Sequence, residues 1–343
     1  MLTTVLATVF VFGLLIFFHE LGHFAAAKAV KMRVTEFAIG FGQKIISRQS
    51  GETTYSVRLI PLGGFNRIAG MDPDDEPDSR NFNAKPVWAR MLVIAAGSLM
   101  NFLLPILLFV IVFTTAGIEK PSDAPIIGTV LPDRPAARAG VLPGDHVLSV
   151  NGKKIETWRQ FVETIQKNAG NELEIEFARG KTQQLIKIVP EYDARANRGI
   201  IGVVPQTFTY WPGFGEAIVL AAKQTYAVAL NMLSGIIQML SGRMAAEVAG
   251  PIGVAQMAGQ VAQMGFVPLL QFAAFLSINL GLINLLPVPV LDGGHLVTLA
   301  VEGIRGKPLS RENMHYIQML GLTLLVLLMI VATYKDISRL RLF

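Results

Sequence analysis

The sequence predicts a polytopic α-helical membrane protein. It has four transmembrane helices, a membrane-associated β-hairpin and one extracytoplasmic α+β domain. Three observations predict this. Of 343 residues, 52% are hydrophobic and only 16% are charged, against about 25% charged in an ordinary soluble protein. Mean hydropathy is +0.47, and the apolar residues are gathered into long runs. Cysteine is absent, which excludes disulfides, thiol catalysis and cysteine-rich zinc sites. Any transition-metal site must then draw on the five histidines and on carboxylates. The net charge of +5 reflects basic residues beside membrane spans. No Gly-rich phosphate cradle and no basic-aromatic stripe point to nucleic acid.

The first run, Leu2 to Phe18, has no charge, and apolar residues continue to Val30 around a polar island. It lacks the basic flank of a signal peptide, although Ala25-Ala26-Ala27 resembles a cleavage site. Met91 to Ile118 is the second run, Phe266 to Leu291 the third and Ile317 to Thr333 the fourth, each long enough for the hydrocarbon core of a bilayer. Tyr226 to Leu240 is shorter and follows Glu216, Lys223 and Gln224, so it reads as an amphipathic helix on or partly in the membrane. The organisation is therefore residues 1–30 (first helix), 31–86 (cytoplasmic loop with hairpin), 87–118 (second helix) and 119–208 (extracytoplasmic domain). Residues 209–250 form the amphipathic segment, 251–300 the third transmembrane segment, and 301–343 a cytoplasmic loop with the fourth helix.

Ten Lys and Arg residues lie between Lys28 and Arg90 and none precedes the first run. Positive-inside logic places that loop in the cytoplasm and the N-terminus outside. The basic tail (Lys335, Arg339, Arg341) falls outside, against the rule. With four spans, the first and third helices run in the same direction and bring His19 and Asp292 to the same depth.

His19-Glu20-Leu21-Gly22-His23 carries the chemistry. Residues four apart share a helix face, so both imidazoles can grip one metal, with Glu20 beside the attacking water as general base. Ionisable groups inside a span are costly and mark function. Two histidines leave a catalytic zinc one protein ligand short. His146 and His315 lie in other regions. Asp292, three residues before His295, is the one carboxylate at the end of the third run. Pro287 and Pro289 break the helix ahead of it, so irregular backbone lies at membrane depth, where it must be buried or line a wet cavity. The plainer alternative is a helix-ending Asp292-Gly293-Gly294 turn.

These residues resemble the site-2 protease family of intramembrane zinc metalloproteases, most closely its bacterial RseP-like group. The resemblance rests on His19 to His23, Leu291-Asp292-Gly293, Asn284 with Pro287 and Pro289, and Gly250-Pro251-Ile252-Gly253. It implies that His19, His23 and Asp292 hold Zn2+, that Glu20 activates water and that Asn284 places the substrate backbone. It further implies single-span membrane protein substrates such as anti-sigma factors or leftover signal peptides, and a bacterial cytoplasmic-membrane location with the active site towards the cytoplasm.

In the extracytoplasmic domain, Ile126 to Val130, Val147 to Val150, Leu173 to Ala178 and Gln184 to Val189 read as strands. Asn151-Gly152 is a hairpin turn, and Trp158 to Asn168 has helical spacing. Pro135 to Asp145 resembles the PDZ signature, which implies capture of an extended peptide by strand addition; one such domain fits the length. In the cytoplasmic loop, Phe37 to Ile46 and Thr53 to Ile60 alternate around Gln49-Ser50-Gly51-Glu52 as a hairpin. Its exposed edge could hold an unwound substrate. The acidic stretch Asp72 to Asp78 lacks EF-hand spacing and reads as a solvated loop. Two rival functions remain open. A non-catalytic PDZ adaptor would tolerate loss of Glu20, and a metal transporter would show metal flux.

Overall fold

The computed structural model describes residues 1–71, 76–193, 197–243 and 250–339. The chain forms two compact units, Met1–Ala116 with Gly213–Phe343, and Gly117–Pro212.

The first unit is built on helices. Among the described residues, four are long and apolar enough to cross a membrane: α1 (Leu2–Ala29), α2 (Val87–Thr115), α7 (Phe266–Asn284) and α9 (Arg311–Arg339). All four fall on the predicted runs. Three of them share a core that joins Val11 and Leu15 of α1, Leu104 and Leu108 of α2, and Ala273, Ala274 and Ile278 of α7. Small side chains matter here because packing between lipid-facing helices relies on close backbone approach. At Gly22 a Cβ would stand 2.3 Å from the Ala96 carbonyl oxygen of α2.

Within the segment 251–300, the third span α7 is flanked by two shorter helices. These are α6 (Pro251–Met264) before it and α8 (Asp292–Arg305) after it, with Gly265 at φ 130° between α6 and α7. A positive φ of that size suits glycine and ends α6. The α6 N-terminus is held by Asp336 of α9, which accepts from the Gly250 and Gly253 N–H groups at 3.0 and 2.8 Å, an anion at the positive end of a helix. Within the predicted amphipathic segment 209–250, the helix is α5 (Phe214–Leu240), which extends the run Tyr226 to Leu240 towards the N-terminus. It packs on α2 and α7 through Ala217 and Ala221.

Between α1 and α2 run β1 (Val34–Ser50) and β2 (Thr53–Ile68), joined at Gly51-Glu52 as expected. The pairing is richer than a simple hairpin. Both strands bend, so that residues 44–50 pair with 53–58, while Glu36 to Ile39 face residues 64–67 on one side and Thr54 to Val57 on the other. Four short strand segments result, with 44–50 and 64–68 outermost. Positive φ at Gly40 and Gly42 makes the bend, and a Cβ at Gly40 would lie 2.7 Å from the Ile60 carbonyl oxygen. Inside, Ser56, Arg58 and Lys44 surround the Glu36 carboxylate. Burial pushes that carboxyl up, but their hydrogen bonds outweigh it and hold it at about 2. Four residues of the acidic stretch, 72–75, lie outside the described residues.

The second unit is an α+β fold. Its four-stranded sheet has the order β6 (Lys153–Lys154), β5 (His146–Val150), β7 (Leu173–Arg179), β8 (Thr182–Ile188). Shorter pairs join β3 (Ile118–Pro121) with β12 (Thr207–Tyr210), β4 (Ile127–Val130) with β11 (Val203–Pro205), and β9 (Glu191–Asp193) with β10 (Arg198–Ile200). The short helix α3 (Pro135–Arg138) precedes α4 (Trp158–Lys167), which Thr157 caps by accepting the Gln160 N–H. Phe161 and Ile165 of α4 meet Val147, Ile175 and Phe177 of the sheet in one core.

Asp145, almost wholly buried, takes both Arg179 Nε and Nη2 at 2.7 Å and the Leu142 N–H at 2.9 Å. Burial raises its carboxyl, yet these bonds prevail and hold it below the ordinary 3.8. Its stabilisation is therefore complete above that value and lost as pH falls below it. Asp145→Asn should remove this acid limb from the thermal unfolding of the second unit. Asp145→Ala should cost about 2 kcal/mol, less than a fully buried pair because Arg179 is partly exposed. Calorimetry at descending pH checks both.

Candidate active site

His19 and His23 occupy successive turns of α1. Their rings meet edge to face with centroids 4.7 Å apart, and their Nε2 atoms are separated by 3.2 Å. Asp292 is the first residue of α8; its Oδ2 lies 3.6 Å from His19 Nε2 and its Oδ1 3.6 Å from His23 Nε2. The two histidines and the aspartate that the sequence singled out thus come together, their ligand atoms all within 4.8 Å of one another. His146 and His315 are exposed and His295 is half-buried. His295 and His315 line a separate cavity of about 1490 Å3 beside α8. Asn284 ends α7, and its side chain makes no hydrogen bond among the described residues.

Several local features bring Asp292 to the histidines. α7 stops at Asn284, ahead of Pro287 and Pro289, and the chain doubles back before α8. Gly293 and Gly294 are buried against the carbonyl oxygens of Leu285, Leu286 and Val288, which a Cβ at either glycine would approach within 2.2 to 2.4 Å. Val290 adopts φ 80°, a conformation that costs a β-branched residue energy and is found where the surroundings enforce it.

One face of α2 then orients every donor. The Val93 carbonyl accepts from His23 Nδ1 at 2.8 Å, so the Nε2 lone pair of that ring points into the cluster. Ser98 donates to Asp292 Oδ2 at 2.8 Å. The Asn101 amide meets His19 Nδ1 at 3.1 Å. Gly97 leaves the space that the His23 ring fills, since a Cβ there would stand 2.2 Å from its Nε2. At the start of α2, Arg90 makes paired contacts of 3.0 and 2.6 Å with Glu302 near the end of α8. Ser98 and Asn101 are fully buried. Neither was expected from the sequence; their only signal was a lone serine and a lone asparagine inside an apolar run.

The arrangement suits a metal ion. Donors about 2.0–2.1 Å from a tetrahedral centre stand about 3.3 Å apart, and the observed separations bracket that figure. Three electron-pair donors converge, which is repulsive without a cation between them. A second observation agrees. When His19 Nε2 faces a metal, its Nδ1 carries the ring proton and must donate. The Asn101 Oδ1, buried and otherwise without a partner, becomes the acceptor once the amide is turned by half a revolution. Two imidazoles and one carboxylate are the donor set of a catalytic zinc centre with an open fourth position.

Glu20 lies on the same stretch of α1. Its Oε2 and its main-chain oxygen both accept from Asn66 Nδ2 of β2, at 2.8 and 2.7 Å. Gly64 of the same strand packs directly on it, and a Cβ at Gly64 would stand 3.1 Å from Glu20 Cγ.

The chain is similar to known proteins. Residues 7–328 match peptidase family M50. The regulator of sigma-W protease RasP of Bacillus subtilis is 34% identical, over 98% of this chain and 99% of that protein. The zinc metalloprotease RasP of Bacillus licheniformis is 33% identical over 99% and 100%, and a putative zinc metalloprotease of Clostridium acetobutylicum is 33% identical over 97% of each. Among solved structures, the PDZ domain of an SdrC-like protein from Listeria monocytogenes is matched at 21% identity and a TM-score of 0.22. That match covers 26% of this chain and 93% of the Listeria domain.

Asn101→Leu and Ser98→Ala should each weaken zinc binding about 10- to 100-fold, as loss of an outer-shell partner does. Titration against a competing chelator measures this, with helix content by circular dichroism unchanged.

Proposed function

The chain belongs to peptidase family M50 and is a zinc metalloprotease, and from that premise we propose that it hydrolyses peptide bonds in or beside the membrane-spanning segment of single-span membrane proteins. The convergence of His19, His23 and Asp292 beside Glu20, on helices apolar enough to cross a bilayer, is the observation that supports this reading most strongly.

In this proposal His19, His23 and Asp292 hold Zn2+. When bound, zinc polarises the scissile carbonyl and acidifies the attacking water. Glu20 takes the proton that this water loses as its oxygen bonds to the carbonyl carbon. The same carboxyl then delivers that proton to the amine nitrogen as the C–N bond breaks. Ser98, Asn101 and the Val93 carbonyl keep the three donors oriented. Asn284, at the end of α7, orients the substrate backbone. The outer strand segment 64–68 lies beside Glu20, and an unwound substrate pairs with it by strand addition.

The ten basic residues between Lys28 and Arg90 support a cytoplasmic loop and an active site towards the cytoplasm, in a bacterial inner membrane. The unit Gly117–Pro212 then lies outside, where its PDZ-like signature, Pro135 to Asp145, supports peptide capture. The name of the Bacillus subtilis relative links that protein to sigma-W, which supports anti-sigma factors as the substrate class here, with signal-peptide remnants as the second class.

Glu20→Gln should lower cleavage of a single-span reporter about 100- to 10,000-fold, the usual worth of a general base, with zinc content unchanged. Cleavage retained at the wild-type rate would remove Glu20 as the general base. Phe65→Pro should reduce cleavage strongly while zinc stays bound, and unchanged cleavage would remove strand pairing at this edge.

A further inference from the structure

Asn66 has no part in holding the metal donors, yet it is the only side chain seen to hydrogen-bond the Glu20 carboxylate among the described residues. It does so twice over: one nitrogen, Nδ2, donates to Glu20 Oε2 at 2.8 Å and to the Glu20 main-chain oxygen at 2.7 Å. The main-chain oxygen sits inside α1, where it already serves the helix, and takes this bond on its second lone pair. The side chain and backbone of one residue are thereby tied to one point on another element.

That point is itself fixed. Asn66 pairs with Phe37 in the strand ladder, and Phe65 and Gly64 pair with Ala38 and Ile39. Phe37 and Ala38 are buried, and Phe37 packs edge to face on Phe17 and Phe24 of α1. The absent side chain of Gly64 leaves the room in which Glu20 Cγ lies. The amide cannot be reversed, because that would set its oxygen against two acceptor oxygens. In the orientation that serves Glu20, Asn66 Oδ1 is left buried without a partner, a cost that native structures seldom carry without a use.

From this juxtaposition we propose that Asn66 is a positioning residue for the general base: it holds the Glu20 carboxylate by Oε2 and leaves Oε1 turned to the attacking water. The inference rests on the proposed role of Glu20. A glutamate has three rotatable bonds, and a base displaced by about 1 Å can lose about 100-fold in rate. A single donor bound to both ends of the residue removes most of that freedom. The sheet beside α1 thus has a task separate from any pairing with substrate.

The experiment compares wild type, Asn66→Asp, Asn66→Leu, Asn66→Gln and Glu20→Gln, each as purified full chain, on one single-span reporter. Zinc content, thermal midpoint, kcat and KM are measured for each. Asn66→Asp and Asn66→Leu keep the shape of the side chain but lose the donor. They should lower kcat about 10- to 100-fold, with zinc content, thermal midpoint and KM close to wild type. Asn66→Gln keeps the amide donor and should recover part of kcat. If both Asn66→Asp and Asn66→Leu cleave at the wild-type kcat, Asn66 does not position the base. If kcat falls only in step with zinc content or thermal midpoint, or if Asn66→Gln is no better than Asn66→Leu at equal stability, its role is structural and the proposal is overturned. Failure of the underlying reading looks different: Glu20→Gln would then cleave as well as wild type.

Discussion

One face of α2 is the constraint on which the rest of the site depends. Arg90, Val93, Gly97, Ser98 and Asn101 follow one another along that face. They engage Glu302, His23, Asp292 and His19 in turn, by hydrogen bonds, an ion pair and the packing of the His23 ring on Gly97. Ser98 and Asn101 are fully buried, and a buried polar group must be answered by another polar group. The helix that contributes none of the three clustered side chains is therefore the one that holds all three in place. Its contact with α1 is close enough to do so only because Gly22 and Gly97 remove side chains where the two helices cross.

The same demand explains the irregular backbone before Asp292. A continuous helix would carry Asp292 past the histidines. The break after Asn284 turns the chain back, and Asp292 enters the cluster from the first turn of α8. Gly293 and Gly294 admit the carbonyls of the break, and Val290 bears the conformational strain. The ion pair between Arg90 and Glu302 fastens the far end of α8, so this helix is held near both termini.

Much of this was legible in the residues. His19, Glu20 and His23 stand out because charge in a span is expensive, and Asp292 because it is alone at the end of its run after two prolines. The four spans followed from long apolar runs, and β4, β5, β7 and β8 from alternation and turn residues, whereas the shorter strands β3, β6 and β9 to β12 were not read. Ser98 and Asn101 were not legible, because one small hydroxyl or amide in an apolar run carries no signal until the helix opposite is known. The bent sheet was missed for a related reason. Alternation reports which face a residue takes, whereas the two-sided pairing of Glu36 to Ile39 depends on bends at Gly40 and Gly42. The third run was read from Phe266, where α7 begins, but α6 before it was not read as a helix of its own.

The metal centre itself offers the most direct test. Zinc K-edge X-ray absorption of the purified protein, set beside Asp292→Ala, reads the donors without reference to any substrate. The structure predicts nitrogen and oxygen donors alone at about 2.0–2.1 Å, two of them imidazole, and a weakened or altered shell in the variant. A spectrum with fewer than two imidazoles, or a shell that Asp292→Ala leaves unchanged, would contradict it.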